Sequence, residues 1–121
     1  MDKISRKNGK NSTSLRSIST DWNPSTDIYQ TADGWVIKME LAGIDSEDLE
    51  VSTLNRNLSI KGQRKDSFIE RNWVHVSMEI LYSSFERLIE LPSNADLASV
   101  KTEYRNGMLI IKVKKLDWKK S

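Results

Sequence analysis

The sequence predicts an all-β domain, an antiparallel sandwich or barrel, on three observations. Apolar residues recur two apart in short runs, turn-forming residues fall between the runs, and the helical period is missing from them. Trp35, Ile37, Met39 and Leu41 alternate with Lys38 and Glu40 between them, and Leu49/Val51 and Leu58/Ile60 repeat the pattern over shorter spans. Seven strands are expected, at 26–31, 35–42, 49–54, 57–63, 84–91, 100–105 and 108–114. Asp33-Gly34 between the first two tolerates the positive φ of a tight hairpin turn, and Asn55-Arg56-Asn57 and Asn106-Gly107 break later runs in the same way. Only Ser46-Glu47-Asp48 and Ser93–Ser99 read as single helical turns.

Three segments divide the chain of 121 residues. Residues 1–23 are rich in Ser, Asn, Thr and Lys and cannot bury enough surface to offset their ordering entropy, so they are expected to form a flexible polar arm. Residues 24–115 carry the strands, and 116–121 form a short basic tail. Net charge is +2 but uneven: the first 23 residues hold five Lys/Arg against two Asp, and the last ten hold five Lys against one Asp. The body between them is therefore acidic. A longer segment, Lys65–Ser83, separates the runs 57–63 and 84–91 and contains Phe68, Ile69, Trp73, Val74, Val76 and Met78. A connection of that length and apolar content must pack on something, and a second subunit is the natural surface.

Composition removes most catalytic chemistries. With no cysteine there is no disulfide, thiolate nucleophile or Cys-based metal site, and a single histidine cannot build a multi-histidine cluster. The acidic pairs Glu47/Asp48 and Asp45/Glu50 flank a turn with no histidine partner and no apolar pocket to raise a carboxylate pKa, so they read as solvated loop residues. His75 is the polar-face member of Trp73-Val74-His75-Val76, with no nucleophile-elbow serine before it. Ile60-Lys61-Gly62-Gln63-Arg64 lacks the spacing of a phosphate-binding loop. No enzyme activity, cofactor or metal is expected. The basic ends read as solvated rather than nucleic-acid binding, and the tail lysines suit protection of an edge strand. No run approaches the ~18 apolar residues of a membrane span, and the cysteine-free chain reads as cytoplasmic.

Taken in order, the motifs resemble the α-crystallin domain of the small heat-shock proteins. Asp27-Ile28-Tyr29-Gln30-Thr31 is similar to that family's opening strand, and Trp35–Leu41 with Ala42-Gly43-Ile44 to its strand ending in a Leu-x-Gly-Val type turn. Ser46-Glu47-Asp48-Leu49-Glu50-Val51 and Asn57-Leu58-Ser59-Ile60-Lys61-Gly62-Gln63-Arg64 follow the next two motifs. Glu79 ahead of Phe85-Glu86-Arg87-Leu88-Ile89-Glu90-Leu91-Pro92, and Tyr104-Arg105-Asn106-Gly107-Met108-Leu109, complete the set across 26–115. Gly107 and Leu109 form the closing structural motif.

The resemblance implies an immunoglobulin-like antiparallel β-sandwich with a long strand-exchange loop, in an ATP-independent chaperone that holds unfolding proteins soluble under stress. It implies a homodimer or small assembly, with Phe68, Trp73, Val74, Val76, Glu79 and Arg87 at the dimer interface, Arg87 pairing with Glu79 of the other subunit. Unfolded clients would meet a groove lined by Leu49, Val51, Val100 and Thr102 and mobile arm contacts at Leu15, Ile18 and Trp22. The family's C-terminal Ile-x-Ile motif has no counterpart in Leu116–Ser121, so a large cage is not expected. The alternative is a non-catalytic adaptor sandwich that recognises one partner, as CS-domain co-chaperones do.

Overall fold

The computed structural model describes residues 22–117, and they form two antiparallel sheets. The strands are β1 (Thr26–Gln30), β2 (Gly34–Glu40), β3 (Leu49–Leu54), β4 (Asn57–Gln63), β5 (Ser84–Glu90), β6 (Ala95–Arg105) and β7 (Met108–Lys115). One sheet runs β1-β2-β7-β6 and the other β3-β4-β5. Among the described residues one 3-10 turn, Ser46–Asp48, carries the chain from one sheet to the other.

The alternation read from the sequence builds the core directly, because every second side chain of a strand faces the same way. Ile37 and Met39 of β2 sit opposite Ile111 and Leu109 of β7, and all four are buried. Across from them lie Leu58 and Ile60 of β4 and Phe85 and Ile89 of β5, with Leu41, Leu91 and Val113 closing the same cluster. Full burial of one such side chain is worth roughly 1.5–3 kcal/mol, so this layer supplies the main driving force for folding.

Two expectations need correction. Asp33-Gly34 is not a positive-φ hairpin turn: Gly34 is the first residue of β2, opposite Lys114, and Thr31 N–H donates to its carbonyl at 2.7 Å. Glycine is required there by space, since a Cβ would collide with the Val113 carbonyl oxygen. Ser93–Ser99 is not a helical turn either. Only Ser93 and Asn94 turn, and β6 begins at Ala95, five residues earlier than the run at 100–105 suggests. A bulge between Asp96 and Lys101 hid the alternation: Asp96 Oδ1 accepts from Ala98 N–H at 3.1 Å, while Ser99 Oγ donates to Asp96 O at 2.7 Å and accepts from Lys114 N–H at 2.8 Å. Residues 64–83 contain no strand, and every residue from Ser67 to Tyr82 is exposed, so packing of this segment on a second subunit stands as expected from the sequence and untested by the single chain. Within this segment Phe68, Val74 and Val76 keep most of their surface open, at 79%, 81% and 94%.

The two-residue turns at Asn55-Arg56 and Asn106-Gly107 are as expected. All four residues have positive φ, between 51° and 74°, the conformation that matches the twist of a two-residue hairpin.

Candidate functional site

The residues predicted to bind or assemble fall on three surfaces. The first is a groove between the sheets. β3 and β6 are edge strands of opposite sheets, and Leu49 and Val51 from one face Leu97, Val100, Thr102 and Tyr104 from the other. All four groove residues named from the sequence thus line one cleft. Leu49, Val51 and Val100 are half-buried, and Leu97, also half-buried, joins them because the β6 bulge carries the strand further along the groove. A cleft with apolar walls and two unpaired strand edges has the chemistry for strand addition, in which main-chain bonds give affinity and side-chain pockets give selectivity.

The second surface is the edge of β1, which among the described residues pairs only with β2. Ile28 lies opposite the buried Ile37 and so shares the core-facing side, yet it is 56% exposed. The three-stranded sheet is too narrow to cover it. Pairing edges of this kind invite another chain unless they are covered.

The third is the 64–83 loop. Phe68 and Trp73 meet edge to face, centroids 5.7 Å apart, but Phe68 remains 79% exposed and Val76 94%. Val74, Ile80 and Met78 are also largely exposed, which gives the loop an apolar surface of a kind that marks an interaction site. Glu79 and His75 project from the same exposed segment.

Arg87 faces inward beside Phe85 and Ile89, half-buried, as the alternation predicts. Its partners lie in its own chain: Nη1 donates to Pro24 O and Thr26 Oγ1, both at 3.1 Å, and to Asn23 Oδ1 at 3.5 Å. The cation therefore fixes the approach to β1. Trp22 packs edge-on to Phe85, centroids 5.4 Å apart, and against the Arg64 guanidinium. Leu15 and Ile18 lie outside the described residues. Gly107, at φ 74°, accepts Leu41 N–H at its carbonyl, 2.7 Å away, and its Cα side abuts Ala42; Leu109 is buried.

Two arginines that the sequence did not single out organise these surfaces. Arg64 spans Ala42 and Leu81 with three donors. Arg56 Nη2 reaches Pro92 O, Ser93 O and Ala95 O at 2.7 to 3.3 Å. Arg64 closes the Gly-x-Arg string and was available as a motif residue; Arg56 sits in the expected turn, but no local pattern announces the carbonyls its side chain reaches. Among the described residues no group of His, Cys, Asp or Glu could hold a metal ion, and no helix is long and apolar enough to cross a membrane.

A two-sheet antiparallel sandwich with a cleft between edge strands and a long exposed loop defines a class: an all-β domain that presents strand edges and apolar side chains instead of a catalytic pocket. The Hsp20/alpha crystallin family matches residues 27–121, and the chain belongs to it. Small heat shock protein C2 of Rickettsia felis is 36% identical over 103 residues, covering 84% of this chain and 67% of that protein. The 18.1 kDa class I heat shock protein of Arabidopsis thaliana is 31% identical over 111 residues, covering 91% and 69%. The small heat-shock protein from Xylella fastidiosa superposes with a TM-score of 0.72 at 33% identity, over 81% of this chain and 90% of that one. The chain spans about two thirds of the length of such curated relatives, and 61% of a second Rickettsia felis protein, C4. The family comprises ATP-independent chaperones rather than enzymes, and these matches favour it over the adaptor alternative.

Proposed function

We propose that the protein is a nucleotide-independent holdase that acts as a homodimer in the cytoplasm, formed by exchange of the 64–83 loop onto the partner's β1 edge. The observation that carries this reading is the pairing of two incomplete surfaces, a loop whose Phe68 and Val76 are 79% and 94% exposed and a sheet edge whose core-facing Ile28 is 56% exposed. Phe68, Trp73, Val74 and Val76 supply the apolar contact, and Arg87 holds the start of β1 where the loop lands. In the assembled form Glu79 comes within reach of the partner's Arg87 region. Clients bind as extended apolar segments in the groove of Leu49, Val51, Val100 and Thr102, supplemented by Leu15, Ile18 and Trp22.

The test is solution mass by light scattering, alongside aggregation of a heat-labile test protein with and without this chain and with no nucleotide added. A mass near twice 13.9 kDa with suppressed aggregation is expected. A monomer at micromolar concentration would remove the exchange reading, and a dimer that leaves aggregation untouched would remove the holdase reading.

A further inference from the structure

The root of the 64–83 loop is closed by one side chain. Arg64 is the first residue after β4; its N–H donates to Ser83 O at 2.9 Å, joining the two ends of the loop. Its Nε and Nη2 both donate to Leu81 O, at 2.9 and 2.7 Å, and Nη1 donates to Ala42 O at 3.1 Å. One planar guanidinium thus ties the loop to the Ala42-Gly43 turn that follows β2. Gly43 stands at φ 82°, and a Cβ there would come within 3.2 Å of Arg64 Cδ.

The face of that guanidinium is occupied. Trp22 lies under it, with Arg64 Cζ 4.0 Å from the ring centroid, well within the range at which an arginine is attracted to an indole face. Trp22 also meets Phe85 edge to face, and Phe85 has room because position 62 is glycine: a Cβ on Gly62 would approach Phe85 Cε1 to 2.7 Å. An arginine fork made of Nε, Nη1 and Nη2 satisfies three donors in one plane only while the plane is fixed, and the indole fixes it.

We infer that Trp22 is a latch that, through Arg64, sets the freedom of the exchange loop. With Trp22 stacked, Arg64 is pinned to Leu81 O and the loop leaves the sandwich in one direction. When Trp22 leaves the guanidinium, Arg64 turns freely, Leu81 O is released and the loop root opens. Release of Trp22 then loosens the loop, and subunit exchange rises with it. Trp22 is a positioning residue here, acting through Arg64. The link to subunit exchange rests on the dimer proposed above; the link to the loop root does not.

The experiment uses the full-length chain as wild type, Trp22→Ala, Trp22→Phe and Arg64→Lys, and the double variant Trp22→Ala/Arg64→Lys. Amide hydrogen exchange across 64–83 reads the latch whether the chain is a monomer or a dimer, and exchange of fluorescently labelled subunits reads its consequence. Loss of the stack is expected to raise amide exchange at the loop root and subunit exchange by roughly tenfold, with Trp22→Phe close to wild type and the double variant no faster than its faster single parent. Amide exchange in β2 and β7 should stay at wild-type levels, which separates a latch from general destabilisation. Unchanged exchange over 64–83 in Trp22→Ala overturns the latch, as do additive effects in the double variant. A monomeric wild type with a loosened loop in Trp22→Ala would keep the latch and reject the dimer.

Discussion

Arg56 holds a left-handed backbone, φ 70°, in a turn where glycine or asparagine would be at ease. It persists because its guanidinium binds three carbonyls of the β5–β6 connection, while its own carbonyl accepts Leu91 N–H at 3.1 Å. Hydrogen bonds from a charged donor contribute about 1.5–3 kcal/mol together with the cost of stranding the acceptors. Arg56→Ala is expected to lower unfolding stability by that amount in a urea titration; Arg56→Gly, which relieves the backbone but loses the same bonds, should fall between it and wild type. On the solvent face of the larger sheet Lys101 and Lys112 are direct cross-strand partners, and both are exposed. Like charges placed so are mutually unfavourable, and opposite pairs gain about 0.2–1 kcal/mol. Lys101→Glu should therefore stabilise the domain slightly, and the gain should shrink as salt is raised. A loss of stability at low salt would show that the two ammonium groups are already splayed apart.

Element boundaries were readable wherever a strand has one wet face, since burial on the other enforces the period of two. β2, β3, β4, β5 and β7 were placed within a residue or two on that signal. The misreadings share one cause, in which side chains or space replace the backbone pattern. The Asp96 and Ser99 side chains substitute for ladder bonds in β6 and break its alternation, so its first half carries no periodic signal. At Gly34 the reason for glycine lies on a strand distant in sequence, at Val113, and no local rule reaches it. The groove residues were legible because edge strands keep their half-buried face; Arg56 was not, because its partners are carbonyls that any sequence supplies. Gly34 and Gly107 separate two roles of glycine experimentally. Gly34→Ala forces β2 and β7 apart and should cost about 1–3 kcal/mol, the usual penalty of overpacking. Gly107→Ala, strained chiefly by its φ of 74°, should cost about 1 kcal/mol. Equal melting temperatures for Gly34→Ala and wild type would show that the strands yield freely there. In the groove, Val100→Asp places a charge on a half-buried wall and should abolish binding of an extended apolar peptide in fluorescence titration while the far-ultraviolet dichroism stays that of the sandwich.

At the scale of the whole molecule, the single chain satisfies its core but leaves a loop and an edge unsatisfied, and this gives the assembly a test free of the usual ambiguity. Interface substitutions are often uninterpretable because they also unfold the subunit. Here the contacts assigned to the partner are nearly absent from the subunit's own fold: Val76 is 94% exposed and Phe68 79%, with Trp73 the aromatic that touches Phe68. Changes at exposed positions shift subunit stability by no more than about 0.5 kcal/mol, whereas removing large apolar groups from the centre of an interface costs about 2 kcal/mol or more each. Phe68→Ser combined with Val76→Asp should therefore convert a dimer to a monomer in sedimentation velocity at micromolar concentration, with amide protection in β2, β4 and β7 unchanged. If the loop buries these residues in a partner, the effect must appear in mass and not in core protection. A double variant that keeps its dimer would place the subunit contact elsewhere, on the β1 edge alone or on the groove, and would leave the exposed loop as a surface reserved for clients.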